Sequence, residues 1–276
     1  MALISCFLFT GCNKIDEESN SKEDLSYLIK TYRRYDTNNN IYKEIWTYDG
    51  YKETGGRYYV NGQLSAEYKN YFYGGLYASW DYYSYQDNEV TLHEHVECEY
   101  LDETFRRVKH QKEEYFFPDT QNNYTSEIYR KFDGKKCVGF KRYQDGILTA
   151  EGHDFNYDGL HCTSITTKYS SPVPNVAREE TSFSTVYLDD TYLRTKSTTR
   201  TNVRFYDDGT SDTITRYTVN HYEDKKPIGL KVFENGKLAY VARDYQYNGL
   251  TCHYFYDTYR NGEVVFTQMY KVEYLE

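Results

Sequence analysis

Gly229 to Leu250 reads GLKVFENGKLAYVARDYQYNGL. Two earlier stretches repeat its pattern: GFKRYQDGILTAEGHDFNYDGL from Gly139 to Leu160, and GGRYYVNGQLSAEYKNYFYGGL from Gly55 to Leu76. Each opens on a glycine, places a turn glycine (Gly62, Gly146, Gly236) at the same distance, and closes on a third glycine (Gly75, Gly159, Gly249) followed by leucine. Such fixed spacing marks an internal repeat and decides the architecture before any other reading.

A second marker extends the unit. Tyr27 to Arg34 (YLIKTYRR) matches Tyr100 to Arg107 (YLDETFRR) and Tyr187 to Arg194 (YLDDTYLR), and Tyr274-Leu275-Glu276 opens a further copy. The expected organisation is therefore one domain over 27–276, with units 27–99, 100–186 and 187–273, preceded by segments 1–12 and 13–26.

Inside each unit the local signals are all β. Asn61-Gly62, Asp145-Gly146 and Asn235-Gly236 sit between alternating segments, a strong short-range hairpin signal because both turn residues must take positive φ. The strand after each turn ends in aromatic-x-aromatic: Tyr71 and Tyr73, Phe155 and Tyr157, Tyr245 and Tyr247. Residues two apart share a face, so these pairs should form an aromatic ladder on the covered side of a sheet. Asn70, Asp154 and Asp244 precede the ladder and should face the other way. The expectation is an all-β antiparallel meander of roughly 15 to 18 strands. Its expected form is an open twisted array with edges blunted by charge; a closed ring or barrel is the alternative.

The pattern G-x-x-x-Y/F-x-N/D-G-x-L resembles the MORN-type repeats of bacterial antitoxin-like proteins. The Y-x-Y-D/N-G-L segments are similar to the YD repeats of Rhs-type shells. The first resemblance implies repeats that bind a protein partner, as an antitoxin binds its toxin.

The N-terminus carries a different signal. Met1 to Cys12 reads MALISCFLFTGC, an apolar run too short to cross a bilayer, which takes about 20 residues, but of a length that fits a secretory signal. Phe9-Thr10-Gly11-Cys12 resembles the lipobox of bacterial lipoproteins. That resemblance implies cleavage before Cys12, acylation of Cys12, and a membrane anchor through the lipid. The polar run from Asn13 to Asp24 reads as a tether, and Asp16-Glu17-Glu18 resembles the surface-export signal of Bacteroides-like lipoproteins. The implied location is the cell envelope, at the outer membrane and facing outward.

Composition narrows the partners. The formal charge of -9 disfavours nucleic acid, which requires a concentrated basic surface. There are 35 tyrosines among 276 residues, so aliphatic core is scarce and half-buried rings must take its place. Cys98, Cys137, Cys162 and Cys252 show no metal-ligand spacing. Cys162 and Cys252 fall where the first unit has Ala78, which reads as a small buried slot holding a reduced thiol.

A residue that breaks the repeat is a better functional candidate than one present in every copy. Trp80 breaks it, with Ser164 and Tyr254 at the equivalent positions, and lies in the aromatic strand YASWDYYSY. Trp80, Tyr82 and Tyr83 are the candidate ligand residues, since exposed rings stack on sugars. Alternation along the strand sends some of these rings to the opposite face. His93 and His95 also break the repeat and share a face, enough for two corners of a metal site. A solvated strand face is the reading preferred for them, with no metal and no cofactor. No GxSxG, HExxH or phosphate-cradling loop is present. The expected function is a non-catalytic surface module binding glycan or protein, with an antitoxin-like or structural repeat protein as the alternative.

Overall fold

The computed structural model describes residues 29–35, 41–50, 52–103, 105, 107–118, 122–169, 175–190, 192, 194–223 and 226–274. Cys12 and the polar tether lie outside them.

Eighteen strands form one antiparallel sheet, six to a repeat. The first six are β1 (Ile29–Tyr35), β2 (Ile41–Asp49), β3 (Lys52–Val60), β4 (Gln63–Gly74), β5 (Tyr77–Gln86) and β6 (Glu89–Tyr100). The second set is β7 (Val108–Phe116), β8 (Tyr124–Asp133), β9 (Lys136–Gln144), β10 (Ile147–Asp158), β11 (His161–Lys168) and β12 (Val176–Tyr187). The third is β13 (Thr195–Tyr206), β14 (Ser211–Glu223), β15 (Lys226–Glu234), β16 (Lys237–Asn248), β17 (Thr251–Arg260) and β18 (Glu263–Tyr274).

Each strand pairs with the next in sequence. The open array expected from the sequence does not form, because β1 pairs with β18 as well as β2 and closes a barrel. Tyr32 lies opposite Val272, and Arg33 opposite Lys271. Charge is not needed to blunt the sheet edges, since closure consumes them. The curl has a local cause. Asn70, Asp154 and Asp244 each sit at a register shift with φ near +56, as extra residues bulged out of β4, β10 and β16. Bulges sharpen the bend and twist of a strand, and here the same one recurs in every repeat.

The hairpin turns form where Asn/Asp-Gly stands, with both residues at positive φ. Their first residue has a second task. Asp145 Oδ1 accepts from Thr125 N and Asn235 Oδ1 from Thr215 N, each at 2.8 Å, tying the turn to the neighbouring hairpin.

Residues paired across strands share a face, so register carries one face around the ring. Tyr73, Ala78, Cys98, Gln111 and Ile128 are joined in this way. Most of the buried apolar side chains fall on that face, among them Ala66, Ala78, Val96, Cys98, Cys162, Ala242 and Cys252. It is the crowded, concave side. The aromatic-x-aromatic pairs lie on it too, while Asn70 bonds outward to Asp81. The thiols of Cys98, Cys162 and Cys252 are free and buried, and burial pushes that of Cys98 up to about 12. Two of the junction markers form compact loops. Arg107 is buried against Asp102 and Phe105 meets Tyr73 and Tyr100 edge-on, with Arg194, Asp189 and Tyr192 repeating the arrangement. Ile29 to Arg34, the matching sequence of the first unit, instead lies in β1.

Among the described residues only neighbouring strands approach within 8 Å, Cα to Cα. Inward rings such as Tyr68, Trp80 and Tyr82 stay partly exposed. Barrels of roughly 16 to 18 strands are wide enough to enclose a lumen, and the partly exposed rings face that interior.

Candidate functional site

Trp80 and Tyr82 point into the lumen, whereas Tyr83 points out, so the three do not form one platform. Trp80 stacks on Tyr71 (ring centroids 5.6 Å, 15° between planes) above the cluster of Ala78, Val96, Cys98 and Tyr100. Tyr82 meets Tyr68 at 4.7 Å and Tyr68 meets Trp46 at 5.2 Å, both with tilted rings. Trp46 was not singled out from the sequence, yet it lines the same wall. Its signal was a glycine pair, Gly55-Gly56, within reach of the only other tryptophan: its ring covers Gly56 on the neighbouring strand.

The aromatic wall continues past the closure. Tyr245 stacks on Tyr254 at 4.5 Å, Tyr254 on Tyr270 at 4.9 Å, and Tyr32 meets Tyr270 at 5.5 Å. Rings therefore line the lumen from β16 through β1 to β5. Two carboxylates stand among them. Burial pushes Glu44 up to about 7; burial and then the neighbouring Glu113 push Glu94 up to about 7. Both share their proton with solvent near neutral pH.

The outward face of β4 to β7 gathers a second group. Lys69 sits 4.1 Å above the Tyr83 ring, Tyr83 stacks on His93 at 4.5 Å, and His93 on Phe116 at 5.3 Å. His93 Nε2 and His95 Nδ1 lie 3.1 and 2.9 Å from the same oxygen, Asp81 Oδ1, while Asn70 donates to Asp81 Oδ2 at 2.7 Å. Burial would raise the Asp81 carboxyl, but the hydrogen bonds from Asn70, His95 and His93 outweigh it and hold the group below the usual carboxylate range. The two histidines thus share one oxygen of Asp81. Among the described residues no group of three or more His, Cys, Asp or Glu is placed to hold a metal ion. Asp81 itself breaks the repeat, with Ile165 and Phe255 in its place, a signal the sequence contained.

A groove of about 600 Å³ runs over the outer face of β8 to β10, between Tyr129, Tyr143, Lys141 and His153. Gly139 forms part of its floor. The equivalent glycines Gly55 and Gly229 lie under Thr47 and His221, whereas only the backbone oxygen of Gly152 stands near Gly139.

No protein-family model matches the chain, and no curated protein matches it.

Proposed function

We propose that the chain is an exported, lipid-anchored binding protein that takes a glycan or protein ligand and performs no catalysis of its own. The aromatic wall of the lumen carries this reading. Tyr68, Tyr82, Tyr71 and Trp80 keep their rings partly exposed over the buried Trp46, and such ring faces stack on the C–H faces of sugars. Both tryptophans of the chain stand on this wall.

Attachment to the outer membrane rests on Phe9 to Cys12, with Cys12 as the acylated residue and Asp16 to Glu18 as the export signal. The outward face suits a barrel standing in water. Its mid-strand positions carry Lys69, Asp81, His95, Lys112 and Glu114, and charge at the middle of a lipid-facing band costs about 2–4 kcal/mol for each Lys or Arg.

The test is tryptophan fluorescence of the purified chain, starting at Cys12, against a panel of soluble glycans. Saturable quenching that is lost in Trp80→Leu supports the reading; no response across the panel contradicts it. A second reading, a protein partner of the MORN antitoxin kind, is favoured by the outward stack of Lys69, Tyr83, His93 and Phe116. It predicts that partner binding fails with Tyr83→Ala and survives Trp80→Leu.

A further inference from the structure

Opposite the aromatic wall, the lumen is lined by arginine. Arg130 on β8 and Arg142 on β9 lie on the inward face, and so do Arg200 on β13, Arg204 and, on β14, Arg216. Arg200 and Arg216 are direct cross-strand partners, a like-charge juxtaposition that sheets normally avoid. Neutralisation is incomplete. Arg142 reaches Glu113 at 3.6 Å, Arg204 reaches Glu179 at 3.5 Å, and Arg216 reaches Glu234 at 3.2 Å. Arg130 and Arg200 have no carboxylate within ion-pairing distance among the described residues. Nη1 of Arg130 is buried without a hydrogen-bond partner among the described residues, and the Arg200 guanidinium lies over the Phe183 ring, 5.9 Å from its centroid.

We infer that this arginine wall binds the acidic groups of a glycan, a uronate- or sulfate-bearing oligosaccharide whose rings lie toward the aromatic wall. The inference rests on the glycan reading above and adds the charge of the ligand. A guanidinium matches a carboxylate or sulfate with two parallel N–H donors, and a desolvated like-charged pair gains most from an intervening anion. Burial, and then Arg216, lower the pKa of Arg200; burial is the main cause for Arg130, with Arg142 acting in the same direction. Both therefore stand in an environment that an anion would relieve. Arg142 on β9 and Arg200 on β13 are four strand spacings apart, roughly 19 Å along the wall. A chain with several acidic sugars can reach both, where a single small anion cannot. The chain has a formal charge of -9, so a cationic inner wall is not a by-product of a basic composition.

The experiment titrates the chain, starting at Cys12, with short oligogalacturonate, its fully methyl-esterified counterpart, a chondroitin sulfate oligosaccharide and a DNA oligonucleotide. Calorimetry and Trp fluorescence provide the readout. The expected result is binding of an acidic glycan that weakens with added salt, falls about tenfold or more in Arg200→Gln and Arg130→Gln, and is partly restored by Lys at either position. Neither Gln variant should lower the melting temperature, which a merely structural arginine would. Equal binding of acid and ester overturns the anion assignment and leaves the glycan reading standing. Tighter binding of DNA than of every glycan overturns the choice of ligand class. No binding of any glycan overturns both.

Discussion

The ring of Trp46 lies over Gly56, its directly paired neighbour, so that a Cβ on that glycine would stand 2.7 Å from Cζ3. Phe140 covers Gly152 in the same way in the second repeat. An aromatic ring laid over a cross-strand glycine protects backbone that has no side chain of its own.

The glycines are therefore not equivalent. Gly56→Ala and Gly152→Ala force the ring off its seat and should cost about 1–3 kcal/mol. Gly139→Ala meets only the Gly152 oxygen at 3.5 Å, an ordinary contact, and should change stability by about 0.5 kcal/mol or less. Urea melts of the three variants check the order; an equal loss in all three would contradict the packing described.

The lumen carboxylates set a pH dependence. Burial raises Glu44 and Glu94 from 4.5 to about 7, so the folded chain holds both protons to higher pH than the unfolded chain. Their stability contribution is full below about pH 4.5 and is lost as pH rises through 7, by about 3 kcal/mol for each group. Glu94→Gln should flatten its share of that decline and leave the protein more stable than the parent at pH 8. Melting temperatures from pH 5 to 8 test this; a parent whose stability rises over that range would contradict it.

The turn at Asn235 separates two roles of one residue. Asn235→Gly keeps the positive φ but loses the 2.8 Å bond from Thr215 N, at a cost of about 1 kcal/mol. Asn235→Asp keeps both and should be near neutral. Chemical denaturation of the pair decides whether the tie between hairpins matters; equal stability would show that it does not.

Much of the repeat was legible because its signals are local. Asn-Gly and Asp-Gly announced their turns, and the aromatic pairs announced the inward face. Asn70, Asp154 and Asp244 were seen to sit apart from the ladder, but not as bulges, since one extra residue leaves the composition of a strand unchanged. Closure stood only as the alternative to an open array, because nothing local marks it. The curl comes from bulges repeated around the ring, those at Asn70, Asp154 and Asp244 among them, and the pairing of Tyr32 with Val272 joins residues at opposite ends of the chain. YASWDYYSY read as one aromatic patch, yet the alternation that was recognised puts Trp80 and Tyr82 in the lumen and leaves Tyr83 outside. Arg130 and Arg200 gave no sign at all, because which face of β8 or β13 is inward depends on register with five or more preceding strands.

The most direct test of the account is a disulfide across the closure. Arg33 on β1 and Lys271 on β18 are paired and point outward, so the double variant Arg33→Cys/Lys271→Cys brings two thiols within bridging range, a Cα separation of about 5.5 Å. The closed barrel predicts near-complete intramolecular oxidation, with native-like circular dichroism and a raised melting temperature. Thiols that stay free in the folded monomer, or that link only between molecules, would contradict the closed ring and with it the lumen.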